Sequence, residues 1–133
     1  MPTLFRFLTT LAVLAGLAYG AMYALVHDFR VMRSDRGYFC LPEVDISIPF
    51  TVPLSTIIRQ KLPAQVAHRA MVTGKRFSAD EALASSIVDE IASEADVLPK
   101  AVALAQSLAG KDRSTLRVIK RNAFSNLLAL LEA

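Results

Sequence analysis

The chain has few of the residues on which disulfides, metal sites and nucleotide-binding loops depend. Its 133 residues include one cysteine, Cys40, and 5 glycines. A single cysteine excludes an internal disulfide and disfavours a cysteine-based metal site, which fits a reducing compartment. The sequence also contains no glycine-rich phosphate loop, no metal-ligand cluster and no catalytic triad. We therefore expect neither a bound metal nor a cofactor.

The chain also has only a small excess of positive over negative side chains. The formal net charge is +3 at pH 7, and lysines and arginines are spread along the chain rather than grouped. This distribution is weak evidence for a nucleic-acid surface, so no nucleic-acid partner is expected. Apolar residues make up 53% of the chain and charged residues 20%, which argues against disorder and for one folding unit of modest size.

One long uncharged run lies near the N-terminus. Residues 7–26 contain no charged side chain, and a helix of that length spans about 30 Å, the thickness of a bilayer core. A membrane span would leave the body in the cytoplasm, because arginines are more numerous downstream. A buried helix of a soluble domain explains the run equally well, and a cleaved signal peptide explains it less well. We predict a hydrophobic helix over 1–26, a possible membrane anchor, and a cytoplasmic body over 27–133.

The body alternates short β-type segments with helical ones, so we predict the α/β fold class. FRVMRS, YFCL, VDISI and IVDEI have the β-branched and aromatic content of short strands. Helices are expected in LSTIIRQKL, in PAQVAHRAMVTG with Gly74 at its end, and in SADEALAS, which carries a capping box. Asp96 is expected to cap the next helix, and Ser114 to open a last helix with an apolar stripe of Leu116, Ile119, Phe124, Leu127 and Leu131.

Glu43 is the first candidate for chemistry. It follows Pro42 and has apolar neighbours, an environment that raises the pKa of a carboxyl group and suits it to proton abstraction from carbon. Taken alone, such a glutamate is more often a solvated residue at a strand edge. Asp45 lies two residues on, which in a strand is the same face, and it is more simply explained as an edge carboxylate.

Two further features have both a functional and an ordinary explanation. Small residues around Gly20 could let a ligand approach backbone N–H groups at a helix start, as in oxyanion sites, or could serve close helix packing. Lys120 and Arg121, with Arg117, form a basic helix face. Such a face can meet phosphates, but a solvated cationic surface is its commoner meaning.

Longer stretches carry a family resemblance. HDFRVMRSDRGYFCLPEVDISIPF, then MVTGKRFSADEALASSIVDEI and later TLRVIKRNAF, resemble the enoyl-CoA hydratase/isomerase (crotonase) superfamily, nearest to the Δ3,Δ2-enoyl-CoA isomerases of fatty-acid degradation. The resemblance runs from about Gly20 to Phe124. The order of its motifs is specific: a Pro-Glu pair, a threonine-glycine turn, a capped alanine-rich helix and a Val-Asp strand. It implies the C-terminal part of a crotonase-like fold, short strands followed by helices.

The resemblance implies a mechanism and a site. Glu43 would move a proton along an acyl-CoA thioester, and backbone N–H groups at Tyr19 and Gly20 would hold the enolate. Lys120 and Arg121 would hold phosphates of coenzyme A, which enters as part of the substrate. Where hydratases carry a second glutamate this chain has Met22, which favours isomerisation over water addition. The family's usual trimer is a further expectation.

The resemblance covers only the family's C-terminal half. The N-terminal strands, the adenine-binding loop and one oxyanion donor of the family have no counterpart in this sequence. We therefore expect a truncated enzyme that is weak or inactive alone. The alternative is a membrane-anchored, non-enzymatic fragment or interaction protein.

Overall fold

The computed structural model describes residues 20–133. Most of the hydrophobic helix predicted over 1–26 therefore lies outside the described residues, and within it residues 20–25 are helical (α1). Among residues 20–133, no helix combines the length and the apolar character needed to cross a membrane.

Two short parallel strands form the sheet and confirm two of the predicted segments. β1 (Val31–Arg33) pairs with β2 (Glu90–Ala92), with Met32 opposite Ile91. Arg30, just before β1, is hydrogen-bonded to the segment just before β2. Its backbone N–H donates to Asp89 Oδ2 over 2.7 Å, and its Nε donates to the carbonyl of Ile87 over 2.6 Å. The chain segment between the two strands contains the next three α-helices.

Three helices between the strands form where the sequence predicts them. α2 (Val52–Lys61) follows Thr51, whose hydroxyl accepts from the backbone of Leu54. α3 (Ala64–Thr73) ends at Gly74, which adopts the left-handed conformation with φ +63°. α4 (Ala79–Ala84) begins with a complete capping box. The Ser78 side chain accepts a hydrogen bond from the backbone N–H of Glu81, and the Glu81 carboxylate accepts one from the backbone N–H of Ser78. Local capping chemistry therefore sets these boundaries.

The prediction of a strand over VDISI is wrong. Pro42–Val44 forms a 3-10 helix, and the backbone N–H groups of Asp45 and Ile46 both donate to the carbonyl of Pro42. Proline has the φ of a first helical position and no N–H to give to a sheet. Of the YFCL segment, Phe39 makes a single antiparallel bridge with Phe77.

The C-terminal helices begin and end differently from the prediction. α5 (Glu94–Leu108) starts after Ser93 rather than Asp96. The predicted last helix is two: α6 (Arg113–Ala123), capped by Asp112 rather than Ser114, and α7 (Ser125–Glu132), which meet at Phe124. The Asp112 carboxylate accepts a hydrogen bond from the backbone N–H of Thr115 over 2.7 Å. Asp112, the earlier of the two possible capping residues, therefore starts α6 in place of Ser114.

The core lies under α1–α4 and the two strands. Its most completely buried large side chains are those of Leu25, Leu41, Ile58, Phe77 and Ile87. The apolar stripe predicted for the last helix is not part of it: Leu116, Ile119 and Leu131 are 43%, 57% and 61% exposed. α7 packs on α2, and α5 packs on both strands.

Candidate functional site

Glu43 occupies the middle of the 3-10 helix Pro42–Val44, and the chain around it is tightly turned. Its carbonyl accepts from the backbone of Ile48 over 3.0 Å, and Ser47 has φ +58°. α3 packs directly against this 3-10 helix. The carboxyl group is therefore held on a short rigid turn backed by a longer helix.

The Glu43 side chain is buried, and one of its two carboxyl oxygens has no hydrogen-bond partner among the described residues. The residue is 7% exposed, and within residues 20–133 it is the one charged residue in the buried set. The oxygen without a partner is Oε2. Burial raises the pKa of Glu43 above its ordinary value of 4.5, and a hydrogen bond from its own backbone opposes this in part. Unpaired buried carboxyls are costly and are found mainly where function requires them.

Glu43 lines an open groove of about 480 Å³ whose lining is mostly apolar. We call this the Glu43 groove. Besides Glu43 it is lined by Val44, Ser47, Ile48, Pro49, Phe50, Met71 and Val72. Glu43 is the only ionisable residue in this lining. Within the described chain, the groove therefore presents one base to an apolar ligand and no second acid or base.

Met71 and Val72 are site residues that the sequence analysis missed. Both come from the last turn of α3, where Met71 is half-buried and Val72 is 52% exposed. In the sequence they stand only within the predicted helical segment PAQVAHRAMVTG. The signal that could have found them is two apolar residues in the last turn of that helix, shortly before the helix-ending Gly74.

Asp45 does not share a face with Glu43. It is exposed and ends the 3-10 helix, and its carboxylate lies against Gly74 at the end of α3. The shared face inferred from strand periodicity is wrong because the segment is helical at this point. Asp45 is absent from the lining of the Glu43 groove.

Of the predicted oxyanion residues, Gly20 is absent from the lining of the Glu43 groove. Tyr19 lies outside the described residues. Gly20 begins the described part of α1, is exposed, and lines a separate groove of about 360 Å³ with Phe39 and Cys40. Met22, at the position matched to the hydratases' second glutamate, is buried in the core. The oxyanion role of Tyr19 and Gly20 stays a prediction.

The predicted coenzyme A residues lie on α6, away from the lining of the Glu43 groove. Lys120 donates from Nζ to Asp28 Oδ2 over 2.7 Å, and Lys120 and Asp28 also line an apolar groove of about 540 Å³. Arg121 is exposed. A role for either residue in phosphate binding remains a prediction.

Sequence comparison places these features in a family. The profile described as enoyl-CoA hydratase/isomerase matches residues 8–130. Enoyl-CoA delta isomerase 3 of Arabidopsis thaliana is 38% identical over 107 residues, covering 77% of this chain and 45% of that protein. Carnitinyl-CoA dehydratase of Escherichia coli K12 is 32% identical over 115 residues, covering 83% of this chain and 42% of that protein. The chain thus spans about half the length of the curated relatives it matches.

Structural comparison agrees. An enoyl-CoA hydratase from Mycobacterium marinum superposes with a TM-score of 0.77 at 25% sequence identity, over 84% of this chain and 49% of that chain. The α/β content and the crotonase-like fold predicted from the sequence are confirmed by this likeness. The profile match also begins inside the hydrophobic run, at residue 8. From its sequence and its fold together, the chain belongs to the enoyl-CoA hydratase/isomerase family.

Proposed function

We propose that this chain carries the base of an enoyl-CoA isomerase that shifts a double bond in acyl-CoA thioesters. The observation that carries the proposal is the placement of Glu43: it is buried, its Oε2 has no hydrogen-bond partner among the described residues, and it lines an apolar groove. Burial raises the pKa of Glu43 above its ordinary range, which makes the ionised carboxylate a stronger base for taking a proton from carbon.

The reaction is a proton transfer with no net change in atoms. Ionised Glu43 takes a proton from C2 of a 3-enoyl thioester, and the electron pair of that C–H bond forms an enolate. Backbone N–H groups would stabilise the enolate oxygen. The C=O bond of the thioester then re-forms, the C1=C2 electrons of the enolate become the C2=C3 bond, and the electron pair of the former C3=C4 bond takes the proton from protonated Glu43 at C4. One carboxyl group is enough for both steps.

The lining of the groove supports isomerisation over hydration. Adding or expelling water requires a second acid or base beside the first, as in paired-carboxylate enzymes. The Glu43 groove offers no second ionisable side chain in the described chain. Met22, which the family resemblance matches to the second glutamate of hydratases, is a buried apolar residue. The relatives include isomerases and dehydratases, so family membership alone does not make this choice.

The test uses purified chain with a series of 3-enoyl-CoA and 2-enoyl-CoA thioesters. We expect formation of 2-enoyl-CoA from the 3-enoyl substrate, and a fall of about 10²- to 10⁴-fold in kcat for Glu43→Gln. Glu132→Gln, an exposed glutamate at the end of α7, is the matched control and should keep full activity.

Three outcomes would contradict the proposal. Conversion of 2-enoyl-CoA to a 3-hydroxyacyl thioester would identify a hydratase. Isomerisation that survives Glu43→Gln would place the base elsewhere. Absence of both catalysis and coenzyme A binding would support the non-enzymatic alternative.

A further inference from the structure

A second groove, of about 650 Å³, is lined by one side each of α2, α3 and α7. α2 packs on both of the other helices. The lining residues recur at helical spacing, such as His68 and Val72, which lie four positions apart on one face of α3. We call this the Arg59 groove. Its lining includes Arg59 and Gln60 of α2, His68, Met71 and Val72 of α3, and Asn126 of α7.

The Arg59 groove and the Glu43 groove border each other at the end of α3. Met71 and Val72, both in the last turn of that helix, line the two grooves alike. A ligand that occupies the Glu43 groove and extends past these two side chains therefore enters the Arg59 groove.

The two grooves differ in charge. The ionisable residues that line the Arg59 groove are Arg59 and His68, and no aspartate or glutamate of the described chain joins them. Within residues 20–133 neither of the two forms an ion pair. The Arg59 guanidinium is a permanent cation whose planar set of donors matches carboxylate and phosphate oxygens. Gln60 and Asn126 add amide donors beside it.

We propose that the Arg59 groove binds an anionic group of the acyl-CoA ligand, which is a carboxylate at the far end of the acyl chain or a phosphate of coenzyme A. The inference rests on the proposed function, which puts the acyl-CoA ligand in the Glu43 groove. Both sources present negatively charged oxygens, so the chemistry of recognition is the same. A terminal carboxylate would make the substrates thioesters of dicarboxylic acids.

The first arm of the test measures binding without turnover. Calorimetric titration compares octanoyl-CoA and decanoyl-CoA with thioesters of the same chain lengths that end in a carboxylate. If the acyl end is the anion, the carboxylate-ended thioesters bind the wild-type chain more tightly than the methyl-ended ones. Arg59→Gln then weakens binding of the carboxylate-ended thioesters alone, by about 5- to 20-fold for an exposed charge-assisted contact.

The second arm titrates coenzyme A alone. If a phosphate is the anion, Arg59→Gln weakens binding of coenzyme A and of every thioester by one common factor of about 5- to 20-fold. In either case the loss in Arg59→Gln shrinks as sodium chloride is added, because salt screens exposed charges. Arg59→Lys keeps the charge without the planar fork and should retain part of the affinity.

Arg69→Gln is the matched control. Arg69 is an exposed residue of α3, next to His68 in sequence, and is absent from the lining of both grooves. The substitution removes the same charge as Arg59→Gln but should leave every affinity at the wild-type value. Arg59 is exposed as well, so both variants should unfold at the same urea concentration as wild type.

Wild-type affinity of Arg59→Gln for both coenzyme A and the carboxylate-ended thioesters would overturn the inference. Equal losses in Arg59→Gln and Arg69→Gln would overturn it too, since the effect would then be one of net charge. If Glu43→Gln keeps full isomerase activity, the proposed function fails. If Glu43→Gln is inactive but Arg59→Gln binds every ligand as wild type does, only the role of the Arg59 groove fails.

Discussion

Lys120 Nζ lies 2.7 Å from Asp28 Oδ2, and this pair joins α6 to the segment that follows α1. Both side chains stay nearly half exposed, at 47% and 43%. Exposed pairs of this kind contribute about 0–1 kcal/mol. We therefore expect Lys120→Ala and Asp28→Ala each to lower the free energy of unfolding by less than about 1 kcal/mol, with a loss that shrinks at high salt in urea titrations.

The same two variants test the coenzyme A role inferred from the resemblance. If the Lys120 ammonium meets a phosphate of coenzyme A, its removal weakens coenzyme A binding, whereas removal of Asp28 does not. Calorimetric titration with coenzyme A should show weaker binding for Lys120→Ala and for Arg121→Ala, and unchanged or tighter binding for Asp28→Ala. If all three variants bind coenzyme A with the wild-type affinity, the role of Lys120 is only its ion pair with Asp28.

Stability should depend on pH through Glu43. Its pKa is raised in the folded state above the ordinary 4.5, so the folded protein binds more protons than the unfolded chain between the two values. The free energy of unfolding therefore falls as pH rises from about 4.5 through the raised pKa. Glu43→Gln, which cannot ionise, should be more stable than wild type at neutral pH, and the gap should close below about pH 4.5.

Chemical denaturation of the two proteins across that pH range measures the gap directly. Glu132→Gln removes an exposed carboxylate and should follow wild type at every pH. A constant difference between Glu43→Gln and wild type would mean that Glu43 is solvated in the folded protein.

Ser86 follows α4 in the left-handed conformation. It has φ +59°, and the backbone of Ile87 donates to Ala82 while that of Ser86 donates to Leu83. These two bonds form a Schellman motif, whose left-handed position favours glycine. Ser86→Gly should therefore raise the free energy of unfolding by about 0.5–1 kcal/mol. This is the net of two terms: glycine relieves the strain of the left-handed conformation, but it also gives the unfolded chain more conformational freedom.

The neighbouring serine is the control for that substitution. Ser85 has φ −92°, so Ser85→Gly gains the same unfolded-state freedom without relieving any strain. Thermal unfolding should show a higher Tm for Ser86→Gly and an unchanged or lower Tm for Ser85→Gly. Similar shifts in both variants would mean that the left-handed serine carries no strain.

The apolar wall of the Glu43 groove should control affinity for the acyl chain. Val72 lines the groove and is 52% exposed, so Val72→Asp should fold but place a charge where methylene groups bind. Each buried CH₂ contributes about 0.8 kcal/mol, so KM should rise most for the longest acyl chains. Val118→Asp, at 57% exposure on α6, is the control and should leave the KM series unchanged.

The sequence predicts local structure well where capping chemistry decides it. The capping box at Ser78 and the glycine stop at Gly74 both form as expected. It predicts poorly where two signals compete: Pro42 starts a 3-10 helix inside a run with strand-like composition, and Phe124 interrupts a continuous helical period.

Part of the site could be read from the sequence and part could not. Glu43 is identified by its Pro-Glu motif within the family pattern. The groove that Glu43 lines is assembled from two chain segments, and no periodicity in either segment indicates that Val72 and Phe50 line the same groove. The seating of Asp45 on Gly74 is equally a tertiary contact. Such contacts depend on how the 3-10 helix and α3 pack together.

The most direct test of the central claim is exchange of the C2 proton of a bound 3-enoyl-CoA in deuterium oxide, followed by NMR or mass spectrometry. Proton abstraction by Glu43 predicts that the wild-type chain and Glu132→Gln either exchange the C2 proton for deuterium or carry it to C4 of the 2-enoyl product, and that Glu43→Gln does neither above the uncatalysed rate. Exchange or transfer that continues unchanged in Glu43→Gln, or a wild-type chain that does neither above the uncatalysed rate, would contradict the account.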